Sequence, residues 1–132
     1  MPNRSRILLV DDDDDGRSLV KELLESDGYV VAEAPNGSVA LELLTNAEEP
    51  ALVILDLEMP VMSGDELLEA MMRHEALAHL PVLIVSGSGK SAIPAGERVV
   101  GFLPKPLDVD TFSAKVRACL AASGTESDEG RA

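Results

Sequence analysis

Five consecutive aspartates, Asp11 to Asp15, lie between the aliphatic run ILLV and a glycine–arginine pair in the stretch VDDDDDGRSLVKE. Like charges this close repel one another, so such a cluster points to a cation. Asp11, Asp13, Asp15, Gly16 and Glu22 stand in the register of a calcium-binding loop. That loop needs a helix on each side, whereas only ten residues precede it here, with Pro2 near the start and an aliphatic run typical of a strand. A second pattern, SGSGKS at 86–91, ends as a phosphate-binding loop does. The position that such a loop requires to be glycine carries Ile84, and Pro94 spoils the helix whose N-terminus would meet the phosphate. Magnesium chemistry fits better. Magnesium takes one or two carboxylates, keeps several waters and shares phosphate oxygens. Asp12 and Asp56 can supply those carboxylates. Asp56 is also a candidate nucleophile, because carboxylates form acyl phosphates. Lys105 and the Ser86 hydroxyl can meet the oxygens of a transferred phosphoryl group.

These residues serve one site only if the chain brings them together. The segments RILLV (6–10), YVVAE (29–33), ALVILD (51–56), PVLIVS (81–86) and VVGFL (99–103) read as strands. Their near-continuous apolar character suits parallel strands covered on both faces. Helical stripes alternate with them: Leu19, Val20, Leu23 and Leu24; Val39, Ala40, Leu43 and Leu44; Leu67, Leu68, Met71 and Met72. Gly28 closes the first helix, Gly37 stands near the start of the second, and Ser63 with Glu66 forms a capping box for the third. A last helix starts near Asp108 and ends near Ala122. This alternation predicts an α/β fold with a doubly wound five-stranded parallel sheet flanked by helices. Ligands of such sheets bind beyond the carboxyl ends of the strands. That rule selects Asp11, Asp12, Asp56, Ser86 and Lys105.

Composition narrows the function classes. The chain has 132 residues, enough for one domain with a substantial core, and only 2% of them are aromatic, so that core is aliphatic. A net charge of -13 argues against direct nucleic-acid binding, since phosphates would be repelled. No apolar stretch reaches transmembrane length and MPNRSR lacks a signal peptide's apolar region, so a cytoplasmic protein without membrane contact is expected. Cys119 lies in a helical pattern as a small core filler. His74 and His79 read as surface residues, and the methionines 59, 62, 71 and 72 as loop and core packing. The acidic end SGTESDEGRA (123–132) reads as a flexible tail after a domain at 1–122.

Four motifs carry a resemblance. ILLVDD (7–12), LVILDLEMPVMSGDELL (52–68), PVLIVSG (81–87) and FLPKPL (102–107) resemble, in order, the receiver domains of bacterial two-component response regulators, the chemotaxis-regulator-like or flavodoxin-like fold. The resemblance covers about residues 5–122. It implies that Asp56 accepts the phosphoryl group and that Asp12 binds Mg2+ directly, with Asp11 acting mainly through water. The backbone carbonyl of Glu58 would be a further magnesium ligand. It also makes Ser86 the switch hydroxyl, Lys105 the phosphate-binding lysine and Phe102 the aromatic that reports activation, with a cis peptide before Pro106. The implied donor is a sensor histidine kinase or histidine phosphotransfer protein. The implied output is a protein contact, and the chain is no enzyme in the turnover sense.

Plainer and rival readings stand beside these. Asp13, Asp14 and Asp15 suit the cap and first turn of a solvent-facing helix. Phe102 would serve equally as a core residue, Lys90 as a surface lysine and the side chain of Glu58 as solvated rim. A haloacid-dehalogenase-type phosphatase or phosphotransferase would use Asp11 as nucleophile and Asp13 as acid/base, but it leaves DLEMPVMSG without a role. A degenerate, docking-only receiver would need none of the assembled groups. The ten residues after 122 are too few for a DNA-binding or catalytic output domain, so the chain is expected to act through protein contacts or to be a module cut from a longer chain. Between Ser86 and Lys105 the chain is shorter than the family's usual length. There Gly87, Gly89 and Gly96 each disfavour helix by roughly 1 kcal/mol and Pro94 by about 3 kcal/mol. The helix between the fourth and fifth strands is therefore expected to be short or irregular, and the usual pairing face altered, which favours a monomer.

Overall fold

The aliphatic runs demand cover on two faces, and they receive it. The structure, a computed structural model, describes residues 5–46, 50–56, 64–74, 77, 79–86, 99–105 and 107–122. Five strands are present: β1 (Arg6–Val10), β2 (Val30–Ala34), β3 (Leu52–Asp56), β4 (Val82–Ser86) and β5 (Val99–Pro104). Four helices are described: α1 (Asp14–Ser26), α2 (Gly37–Asn46), α3 (Gly64–Arg73) and α4 (Val109–Ala122). The strands form one sheet in the order β2-β1-β3-β4-β5, with every neighbouring pair parallel.

Alternate residues of each strand point to opposite faces. Leu8, Val10, Val53, Leu55, Val82 and Ile84 join the core shared with Ala40 and Leu44 of α2 and Leu67, Leu68 and Met71 of α3. Ile7, Leu9, Leu52, Ile54, Leu83 and Val85 join the core shared with Leu24 of α1 and Phe112, Val116, Cys119 and Leu120 of α4. All five residues of β3 are buried, as a central parallel strand requires.

The helices begin and end where the side chains dictate. Asp13 caps α1, its carboxylate accepting from the Gly16 N–H at 3.2 Å. Asn36 caps α2 in the same way, accepting from Val39 N–H at 2.9 Å, a cap that sequence reasoning missed. Asp108 accepts from both the N–H and the hydroxyl of Thr111 at the start of α4. Gly28, at φ +99°, lets the chain turn out of α1.

Two expected core positions are corrected. Leu19 is 64% exposed and Met72 56% exposed. Each lies five residues from a deeply buried residue of its helix, Leu24 and Leu67, which at 3.6 residues per turn places it roughly 140° round from that residue, at the edge of the apolar stripe. Ser63, the expected helix at 87–98 and the tail at 123–132 lie outside the described residues.

The chain runs from β1 outward to β2, then returns past β1 to β3. Connections therefore leave β1 and β3 in opposite directions and open a crevice at their carboxyl ends, the usual ligand position of an open parallel sheet.

Candidate functional site

That crevice is flanked by Asp11, which follows β1, and Asp56, the last residue of β3. Both are buried, at 7% and 5% exposure, whereas Asp12 is exposed. Carboxylate oxygens of Asp11, Asp12 and Asp56 all lie within 4.8 Å of one another. The Lys105 ammonium, one residue past β5, is 3.1 Å from Asp56 Oδ2 and 3.4 Å from Asp11 Oδ2. Residues 11, 12, 56 and 105, far apart in sequence, thus converge as the strand-end rule predicts.

Burial of an ammonium disfavours its charge, but the hydrogen bond to Asp56 and the fields of Asp11 and Asp56 outweigh that effect and raise the Lys105 pKa above the ordinary lysine value. The lysine therefore stays cationic and balances part of the carboxylate charge. Three converging carboxylates, one of them open to solvent, form a donor set suited to a small hard cation that retains waters. The donors fit magnesium. They do not form a calcium hand, because a strand precedes the loop and Asp13 and Gly16 are engaged in capping α1.

The acidic loop is held by its own main chain and by α1. Asp11 N–H donates to the Ala34 carbonyl at 3.1 Å, and Asp11 Oδ1 accepts from Asp13 N–H at 3.0 Å. Arg17 reaches back from α1. Its Nη1 donates to the Asp11 carbonyl at 2.8 Å, its Nη2 to Asp14 Oδ1 at 2.7 Å and its Nε to Glu33 Oε1 at 3.0 Å. Sequence reasoning missed Arg17 and Glu33. The i, i+3 spacing of Asp14 and Arg17 was visible, but only the pairing of β1 with β2 brings Glu33 alongside.

A cavity of about 610 Å³ opens beside the carboxylates, between α1 and the segment that joins β5 to α4. Its walls are largely apolar, including Val20, Leu23, Ile54, Val85 and Leu107, and Leu19 and Val109 stand at half exposure or more along it.

Ser86 ends β4 opposite Pro104, so its backbone reaches the same sheet edge. Phe102 pairs with Ile84 and packs, partly buried, against the α2–α3 core. Glu58, Lys90 and Pro106, with the roles expected of them, lie outside the described residues. His74 and His79 are exposed, as expected, and Cys119 is a buried free thiol whose pKa is pushed up by burial. Among the described residues no helix is long and apolar enough to cross a membrane.

Comparison with known proteins agrees with this geometry. Residues 7–117 match the family model of the response regulator receiver domain. The chain is 38% identical over 117 residues to the chemotaxis protein CheY of Pseudomonas aeruginosa, covering 84% of this chain and 92% of that protein. It is 36% identical over 117 residues to the sensor histidine kinase TmoS of Ectopseudomonas mendocina, where the match covers 86% of this chain but 12% of the kinase. The chain therefore spans a small part of one relative and nearly all of another. A response regulator receiver protein from Pseudomonas putida superposes with a TM-score of 0.78 at 28% identity, over 89% of this chain and 99% of that one.

Proposed function

Because the chain belongs to the response regulator receiver domain family, we propose that it takes a phosphoryl group from a phosphohistidine onto Asp56 and switches its protein contacts in response. The observation that carries this reading is a buried carboxylate at the end of the central strand, with two further carboxylates within 4.8 Å and an ammonium at 3.1 Å. In the proposed step an oxygen of Asp56 attacks phosphorus in line with the leaving imidazole. The P–O bond forms as the P–N bond breaks, and the imidazole nitrogen departs with the electron pair and takes a proton. Asp12 and Asp56 would hold magnesium directly and Asp11 through water, with the Glu58 carbonyl as a further ligand. When bound, the ion supplies positive charge to the oxygens of the transferring group. Lys105 follows the new acyl phosphate by exchanging its contact with Asp56 for a phosphoryl oxygen. The Ser86 hydroxyl takes another oxygen and draws the loop after β4 inward, with Phe102 following.

The donor is a sensor histidine kinase or histidine phosphotransfer protein. The exposed Leu19 and Val109, on the apolar cavity next to the carboxylates, offer it a contact surface continuous with the site. The chain turns over no external substrate. It supplies groups for its own phosphorylation and dephosphorylation, in the cytoplasm.

Incubation with acetyl phosphate and magnesium, followed by borohydride trapping and peptide mapping, tests the reading. Label is expected on Asp56 and is lost in Asp56→Asn. Undiminished label on Asp11 in that variant would overturn the assignment and favour the dehalogenase-type chemistry.

A further inference from the structure

The charge of the acidic loop leaves Arg17 with two possible jobs that pull in opposite directions. As a cation close to a divalent-cation site it weakens metal binding by repulsion. As a fork that grips the loop it strengthens binding by holding the ligands in place. The geometry favours the second. The Arg17 side chain is 14% exposed, and its guanidinium is spent on three acceptors: the Asp11 carbonyl at 2.8 Å, Asp14 at 2.7 Å and Glu33 at 3.0 Å. Only the first of these touches the acidic pair, and it does so through the peptide that joins Asp11 to Asp12. That peptide's orientation sets where the Asp12 side chain departs from the main chain. Glu33, in turn, anchors the guanidinium to the carboxyl end of β2, the strand whose Ala34 carbonyl receives the Asp11 N–H. Both main-chain polar groups of Asp11 are thus tied to β2, one directly and one through Arg17.

We propose that Arg17, anchored by Glu33, is a positioning residue that presents the Asp11–Asp12 pair to the metal. The inference rests on the metal reading of the site given above. Groups that orient metal ligands typically change affinity by about 10- to 100-fold when removed. A lysine keeps the charge but cannot span three acceptors with a planar fork.

The test is the dissociation constant for Mn2+, a hard cation suited to carboxylate and water ligands. It is measured by electron paramagnetic resonance of the free ion on the full chain, alongside urea unfolding of the metal-free protein. Arg17→Ala is expected to raise the constant about 10-fold or more. Arg17→Lys, whose fold is at less risk, raises it in the same direction by less. Simple repulsion predicts the reverse: tighter binding in Arg17→Ala and no change in Arg17→Lys. Unchanged or tighter binding in Arg17→Lys overturns the proposal, whether or not the alanine variant folds. The underlying metal reading is judged separately by the wild-type chain, which must show saturable binding that Asp12→Asn removes.

Discussion

At the scale of single residues, Lys105 shows how the site balances itself. Its ammonium lies between two buried carboxylates that would otherwise face each other across a poorly solvated crevice. Burial lowers its pKa, the Asp56 hydrogen bond and the fields of both carboxylates raise it, and the raising effects win. A group whose folded pKa is raised stabilises the fold fully below its unfolded value, here 10.5, and loses that contribution as pH climbs through the folded value. In metal-free protein, the stability gap between wild type and Lys105→Met is therefore expected to stay constant from neutral pH to about 9 and to shrink only above the ordinary lysine range. Urea unfolding across that range measures it. A gap that closes between neutral pH and 9 would show that the raised pKa is wrong. The side chain is one-third exposed, so solvent screening keeps the gap modest.

Elements are placed by their ends as much as by their apolar stripes. After α1, Tyr29 N–H donates to the Leu24 carbonyl at 3.1 Å and Gly28 N–H to the Glu25 carbonyl at 3.0 Å, the paired bonds of a Schellman ending. Leu24 and Tyr29 meet in the same core, the apolar contact that accompanies such an ending. Gly28 carries the positive φ, and a Cβ built there meets nothing within 4 Å, so a substitution pays through the backbone alone. Gly28→Ala is expected to cost about 1 kcal/mol, the left-handed strain offset in part by a less flexible unfolded chain. Asn at this position is expected to cost less. Urea unfolding decides the matter, and a neutral alanine variant would mean that α1 ends in some other way.

For the whole molecule, the relevant quantity is a net charge of -13 with three carboxylates gathered at one sheet edge. A cation that binds only the folded chain stabilises it by mass action. At a hundredfold excess over its dissociation constant, magnesium is expected to add about 2.7 kcal/mol to the unfolding free energy. Melts at matched ionic strength separate this from general screening. Asp12→Ala is expected to abolish the gain, whereas Asp15→Ala, which lies in α1 outside the three-carboxylate cluster, keeps most of it. Equal losses from the two variants would point instead to a calcium-loop ligand set.

Sequence alone determined what local chemistry and chain order can determine. The aliphatic runs specified five parallel strands because a strand buried on both faces has no reason to alternate. Once strand ends were known, the rule for open parallel sheets selected Asp11, Asp12, Asp56 and Lys105 before any distance was available. Asp13 and Asp108 were legible as helix starts because capping is a local hydrogen bond. Tertiary structure alone decided the rest. A helical stripe has edges, and only the packing of α1 and α3 against the rest of the fold decided that Leu19 and Met72 stay in solvent. The grip of Arg17 on the acidic loop depends on Glu33, sixteen residues away on the next strand. No periodicity encodes that contact, because it is made by strand pairing rather than by neighbours in the chain.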